Sequence, residues 1–377
     1  RLALDSGGLE AMAAALAGRL GVDVQFEGGD HGFDDAAGWV AAVAGDLEAH
    51  RGASAVIVGP HQSSALHALA HAINQKLGNT GRTVHHTEPV EISPADHAAD
   101  LRDLVLDMKA GQVELLLIIG SNPVFAAPAE LGFSAAMDKV TLRAHVGAYE
   151  DETAQLCHWH VPQSHFLESW SDLRAHDGTV TIVQPLIHPL YPTRSAHEVV
   201  AVIGGNSGKP VVDMVKGRWA GDPLFANDSD FDTTWQKALH DGAIPGTSLD
   251  DRAVQVRSLR LRAGFGTSLD PESDIEFALR PDPFLGAGAN SNNGWLQETP
   301  RPVHKLTWDN AAIVSPAMAE RLGVSNEQVI RIAAAGGQVE APIWIVPGQA
   351  DGHEIDGRTK AAKSLGEQID DQPASPI

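Results

Sequence analysis

The chain has almost no cysteine. One thiol, Cys157, stands among 377 residues. Within this sequence that excludes an internal disulfide, the four thiolates of an iron–sulfur cluster and the Cys-x-x-Cys-His pair of covalent haem attachment. Basic residues are scarce as well: 27 Lys and Arg face 49 Asp and Glu, a formal net charge of −22. Nucleic acid, which needs lysines and arginines opposite its phosphates, is excluded as a partner. Direct docking on anionic lipid is excluded on the same ground, whereas a positively charged protein partner is not. Long hydrophobic runs are missing too. The strongest aliphatic stretch, Leu115 to Ile119, is far shorter than the roughly 20 residues of a membrane-spanning helix, so no direct membrane span is expected. The common cofactor fingerprints are absent. There is no phosphate loop and no nucleophile elbow, and Gly264-Phe265-Gly266 runs into Thr267-Ser268-Leu269 without the third glycine of a dinucleotide turn.

What is present is a globular composition, 43% hydrophobic and 20% charged, on a chain long enough for two or three domains. Residues 1–206 alternate helical and strand-like segments. Helices are expected at Leu9–Leu20, Ala36–His50, Ser63–Leu77 (Ser63 as cap, Gly78 as stop) and Pro94–Ala110 ended by Gly111. Strands are expected at Val22–Phe26, Ser54–Val58 and Val113–Ile119. Such alternation predicts an α/β fold with a doubly wound, mostly parallel sheet. Residues 207–290 lose the alternation and read as an irregular bridging segment, with a helix around Asp232–His240 and strand-like pieces at Val254–Leu261 and Ile275–Leu279. Residues 291–352 predict a small, partial β-barrel: strands Ala311–Val314 and Gln328–Ala333, a helix Pro316–Leu322 stopped by Gly323, a turn at Gly336-Gly337 and a return strand Gln338–Val346. Residues 353–377 are polar and read as a disordered tail. The sequence opens on Arg1, already in a helical pattern, so a missing start and a missing signal peptide are expected.

Four groups of residues invite a functional reading. Gly120-Ser121-Asn122-Pro123 follows the best buried strand, where open α/β sheets bind ligands; the same residues serve as a capped turn in which Asn122 bonds its own backbone. Cys157-His158-Trp159-His160, with His165 beyond, has soft and imidazole donors suited to zinc or copper. However, a strand over Leu156–Val161 puts Cys157 and Trp159 on one face and both histidines on the other. A structural role for the histidines, and no metal site, is expected. Glu150-Asp151-Glu152, followed by His165 and Glu168, has the carboxylates of general acid/base chemistry, but adjacent acids in a loop also make a solvated turn. Asn292-Asn293-Gly294-Trp295-Leu296-Gln297-Glu298 and Trp308-Asp309-Asn310 would cradle a flat polar ligand, or anchor a turn on the core.

In order along the chain, these segments resemble the molybdopterin oxidoreductase superfamily. The strand leading into Gly120-Ser121-Asn122-Pro123 is similar to its G-x-N-P turn beside the pterin. Glu152-Thr153-Ala154, Val161-Pro162 and Phe166-Leu167-Glu168 resemble its E-T-A … V-L-P … LE element, and Ser315-Pro316 through Leu322-Gly323-Val324 its C-terminal dinucleotide-binding barrel. A nearer resemblance, over most of residues 50–352, is to the large subunit family of alternative complex III. It is carried by Tyr149-Glu150-Asp151-Glu152-Thr153, Cys157-His158-Trp159-His160-Val161-Pro162, Leu167-Glu168-Ser169-Trp170-Ser171-Asp172, Asp177 through Pro185, Asn293-Gly294-Trp295-Leu296-Gln297-Glu298 and Pro347-Gly348-Gln349-Ala350-Asp351-Gly352.

The resemblance implies a quinol-oxidising complex at the periplasmic face of the bacterial inner membrane, with cytochrome c-type and integral membrane subunits as partners. It implies a molybdopterin-like half without a molybdenum cofactor, and iron–sulfur clusters in a C-terminal half that this sequence lacks. It also implies a remnant pterin-type pocket at Gly120, Ser121, Asn122, Pro123, Glu152, Thr153, Asn293, Trp295 and Asn310, with no catalytic residue in this chain. The alternatives are an active molybdopterin-dependent oxidoreductase domain with a bis-pterin cofactor, and a free-standing binding protein for a nucleotide-like ligand.

Overall fold

The computed structural model describes residues 3–26, 38–256, 259–261, 275, 278, 280–286, 288, 290–334 and 337–350. The expected tail at 353–377, the Gly264-Phe265-Gly266 stretch, the Gly336 turn position and most of Ile275–Leu279 lie outside them. The chain divides into two compact units, one of residues 1–86 with 253–377, the other of residues 87–252; the sequence had placed divisions after 206 and 290.

The first unit opens with helix α1 (Ser6–Arg19), strand β1 (Val24–Phe26) and helices α2 (Trp39–Ala49) and α3 (Ser64–Leu77). Local chemistry sets the ends of α3: the Ser63 hydroxyl accepts from the Leu66 amide, and Gly78, at φ 71°, takes the left-handed stop that favours glycine. Leu16, Leu20, Val40, Leu66, Leu69, Ile73 and Leu77 form the core of this part. Ser54–Val58 is not a strand among the described residues. Its backbone is instead held at Val56 by the buried Asn74 of α3, which bonds both the Val56 amide (2.8 Å) and the Val56 carbonyl (2.7 Å). Just before it, the Gly52 amide donates to the buried Asn79 at 3.0 Å. At Val56 a side-chain amide thus does the work of a neighbouring strand.

The second unit contains helix α4 (His97–Lys109), strand β2 (Leu115–Ile119), short helices α5 (Pro123–Ala126) and α6 (Phe133–Met137), strand β3 (Leu142–Gly147), a helical turn α7 (Glu152–Gln155) and strand β4 (Trp159–Pro162). β2, β3 and β4 form a parallel sheet in that order. Leu116 and Ile118 face Val105 and Met108 of α4 and Phe133, Ala136 and Met137 of α6 in one core. A second, antiparallel sheet follows: β5 (Ser171–Arg174), β6 (Val180–Val183) and, beyond helices α8 (Ala196–Ile203), α9 (Val211–Ala220) and α10 (Phe231–Asp241), β7 (Ala243–Ile244). Val180, Ile182, Val215, Trp219, Trp235 and Ile244 are its core. The helix expected around Asp232–His240 is α10, and α9 before it is a second helix in this stretch.

The first unit resumes with β8 (Leu259–Leu261), which pairs in parallel with β1, then α11 (Gly294–Glu298), β9 (Ala312–Val314), α12 (Pro316–Leu322), β10 (Val329–Ala334) and β11 (Gly337–Ile345). β10 and β11 form the expected hairpin, and β9 joins β11 in parallel. Ser315 caps α12 and Gly323 ends it. The architecture is mixed α/β with parallel sheets. Around α12 the described strands make one three-stranded sheet.

Candidate functional site

The carboxyl ends of β2, β3 and β4 lie side by side, with Ile119 opposite Val146, and Gly147 opposite Pro162. Chain leaving β2 must turn at once, and Gly120 does so at φ 65° while its amide still reaches the Val146 carbonyl at 2.8 Å. Pro123 then starts α5, its missing amide being no loss at a helix's first position. Chain leaving β3 turns into α7, where the Asp151 carboxylate accepts from the Ala154 amide at 2.9 Å. These two turns bring Asn122, Glu152 and Thr153 together. Asn122 Nδ2 donates to Glu152 Oε2 at 2.7 Å, and Thr153 Oγ1 donates to Asn122 Oδ1 at 2.7 Å. The same hydroxyl, on a side chain 0% exposed, accepts from the Val124 amide at 3.1 Å. The Asn122 side chain thus joins two loops and makes no capping bond to its own turn. The bond from Asn122, followed by the backbone bond at Glu152, holds the Glu152 carboxyl below the usual carboxylate range.

Beneath this cluster lies a group that the sequence did not single out. His145, 1% exposed on β3, sets its Nε2 3.2 Å from the Ser121 carbonyl and its Nδ1 3.1 Å from Nδ1 of His160 on β4. The two rings are stacked, with centroids 5.2 Å apart and planes at 25°. Asp151 Oδ2 is 3.9 Å from His145 Nε2. A Cβ on Gly147 would meet that ring, 2.9 Å from Nε2, so the position has room only for glycine. A lone histidine in a strand gives no sequence signal. The parallel register that sets His145 opposite His160 is what creates the pair.

The Cys157–His160 segment differs from its expected geometry. β4 begins at Trp159, so strand alternation does not extend to Cys157. The thiol packs partly buried against the β2–α4–α6 core, whereas Trp159 is 67% exposed. Burial pushes the Cys157 thiol up, which opposes the thiolate a metal needs. His158 Nδ1 accepts from the Arg143 amide at 3.1 Å. Glu168 clasps a loop, accepting from the amides of His165 and Leu190 at 3.0 Å each; these bonds, Leu190's first, hold its carboxyl low. Among the described residues no group of three or more His, Cys, Asp or Glu side chains is arranged to hold a metal ion, and no helix is long and apolar enough to cross a membrane.

The remaining expected site residues belong to the other unit. Asn293 caps α11, accepting from the Leu296 amide at 3.2 Å. Trp295 is 85% exposed, and Asn310 is exposed. The organising group there is Arg301, which the sequence reading passed over. Its buried guanidinium donates to Asp282 Oδ2 at 2.8 Å and to the Gln297 carbonyl at 3.2 Å. Burial alone would raise the Asp282 carboxyl, but bonds from Arg301 and from the Leu285 and Phe284 amides hold it below its ordinary value.

No protein-family model matches the chain. It is similar to the menaquinone reductase molybdopterin-binding-like subunit of Nitratidesulfovibrio vulgaris, at 24% identity over 253 residues, or 64% of this chain and 35% of that protein. The matched stretch thus spans about a third of the curated relative's length. Among solved structures it is similar to acetylene hydratase from Pelobacter acetylenicus, with a TM-score of 0.43, 14% identity, and coverage of 66% of this chain and 38% of that one. By sequence, then, the chain is like a molybdopterin-binding-like subunit of an oxidoreductase.

Proposed function

We propose that this chain is a molybdopterin-enzyme-like scaffold in a large subunit of a respiratory quinol oxidoreductase of the alternative complex III type. It serves assembly and docking beside an electron-transfer chain that runs through other parts of the complex. In this reading the subunit sits at the periplasmic face of the inner membrane. Its iron–sulfur clusters lie in a further C-terminal half, and its partners are cytochrome c-type and integral membrane subunits. The residues around α12 form part of a small dinucleotide-binding-type barrel. What supports the family is the similarity to a molybdopterin-binding-like subunit, together with the ordered motifs from Gly120 to Val346.

The observation that carries the non-catalytic role is the closure of the turn after β2. A pterin cofactor with its pyrophosphate is anionic, and such groups are held by free amides, hydroxyls or cations. Here the Asn122 amide and the Thr153 hydroxyl are committed to each other and to Glu152. The group at the surface of the cluster is an ionised carboxylate, which repels an anion. These commitments count against a pterin cofactor held by Asn122, Glu152 and Thr153. The charge of −22 suits basic partner surfaces, where it speeds encounter more than it tightens the complex.

The test has two arms. Elemental analysis of the chain purified from a molybdenum-competent host should find neither molybdenum nor iron at stoichiometric level. In the native complex, Asn122→Ala should leave quinol-dependent electron transfer nearly intact. Stoichiometric molybdenum, or an assembled Asn122→Ala complex without activity, would establish the alternative, an active bis-pterin domain.

A further inference from the structure

We infer that His160 Nε2 is an open hydrogen-bond acceptor at the carboxyl edge of the parallel sheet, a site for the O–H or N–H of a ligand, and that the His145–His160 pair holds it open by fixing one arrangement of tautomers. The inference does not depend on the proposed function. It follows from the direction in which the hydrogen bonds must run. The Ser121 carbonyl can only accept, so His145 Nε2, 3.2 Å away, is the protonated nitrogen of that ring. In a neutral imidazole the other nitrogen is then an acceptor. His145 Nδ1 therefore receives the bond from His160, and Nδ1 of His160, at 3.1 Å, carries the hydrogen. That leaves Nε2 of His160 with a free lone pair. It has no protein partner among the described residues and is not among the buried atoms that lack one. His160 is thus held in its less common tautomer, with its outer nitrogen open to a ligand.

Asp151 Oδ2 lies 3.9 Å from His145 Nε2. The other titratable groups on the elements packed against the pair are already engaged. Glu152 holds Asn122. The Arg143 guanidinium bonds the Met137 carbonyl and Asp138, and His158 bonds the Arg143 amide. Beyond β4, the Arg194 guanidinium bonds the Thr193 carbonyl. β2 and α5 carry no titratable side chain. A ligand O–H or N–H that donates to His160 Nε2 leaves both existing hydrogen bonds intact. The site takes a hydrogen-bond donor, and it is unsuited to an anion while the pair is neutral.

Long-range proton–nitrogen NMR on the full chain, labelled with ¹⁵N-histidine, reads both tautomers directly. Near neutral pH, His160 should show the hydrogen on Nδ1, and His145 should show it on Nε2. In His160→Asn the side-chain amide stands where Nδ1–H stood, so the bond to His145 persists and the open acceptor at the Nε2 position disappears. In His160→Gln, whose amide reaches the Nε2 position instead, the His145 bond is lost. An Nε2–H tautomer for His160, or an Nδ1–H tautomer for His145, would overturn the proposal. The wild-type measurements decide it even if a variant fails to fold.

Discussion

Thr153→Val tests whether the junction between the two turns is a structural lock. Valine matches threonine in shape, so packing is nearly conserved and the change isolates one hydroxyl. That hydroxyl makes two bonds from a side chain with no exposed surface: it donates to Asn122 Oδ1 at 2.7 Å and accepts from the Val124 amide at 3.1 Å. Losing an ordinary bond removes about 0.5–1.5 kcal/mol, and leaving a buried donor without a partner costs about 1–3 kcal/mol. The Val124 amide bears the larger penalty, because helix α5 gives its first turn no other acceptor. Asn122 can turn its carbonyl to water. The sum is roughly 2–4 kcal/mol, which in a domain of 150–250 residues lowers Tm by about 4–16 °C. Urea unfolding should show the loss, and hydrogen exchange should show it concentrated at the Val124 amide. A double-mutant cycle with Asn122→Ala should give strong coupling, since the residues share a bond. A loss under about 0.5 kcal/mol, or exchange at Val124 unchanged, would refute the lock.

Two further outcomes follow from the same contacts. Gly147→Ala puts a Cβ against the His145 ring, so it should destabilise the second unit by about 1–3 kcal/mol as overpacking does, and should break the His145–His160 coupling in NMR; a neutral effect on both would show that the ring is free to move. Arg301→Ala leaves Asp282 without its cation and should cost about 3–5 kcal/mol, read by urea unfolding. Because Asp282 is held below its ordinary value, its contribution is present at neutral pH and is lost as pH falls below the ordinary Asp range near 3.9. The gap between the wild type and Arg301→Ala should therefore narrow in acid, with the part due to the bond to the Gln297 carbonyl remaining, and a gap that does not narrow would disprove the pairing.

What the sequence made legible was local. Ser63 and Gly78, Ser315 and Gly323, and the Gly120 turn could be read because a cap or a left-handed glycine acts within four residues. Ser54–Val58 has the composition of a strand, but the backbone partner of Val56 is the side chain of Asn74, 18 residues on. No periodicity encodes such a partner. The helix Val211–Ala220 was hidden by Gly217 inside it and Pro210 before it, although Val215 and Trp219, four apart, are the residues it buries. At the site, Asn122, Glu152 and Thr153 were named from the sequence and do meet. His145 was not, since its meaning depends on the register between β3 and β4.

That register also bears on why this sheet edge need not be a pocket. At the carboxyl end of a parallel sheet the last carbonyls and the turns beyond them are left without ladder partners, which makes the edge a natural ligand site. The same groups can be satisfied from within if the loops carry side chains that reach one another. Here the Ser121 carbonyl is covered by His145, the Val124 amide by Thr153, and both ends of the Asn122 amide by its neighbours. A ligand entering the turn would have to replace bonds of 2.7 Å already made between groups fixed by two helical turns and a buried ring, at no net gain in hydrogen bonds. The Glu152 carboxylate and one imidazole nitrogen keep free acceptor capacity at this edge. Both ask for a donor or a positive charge, which is what a basic partner surface supplies and an anionic cofactor does not.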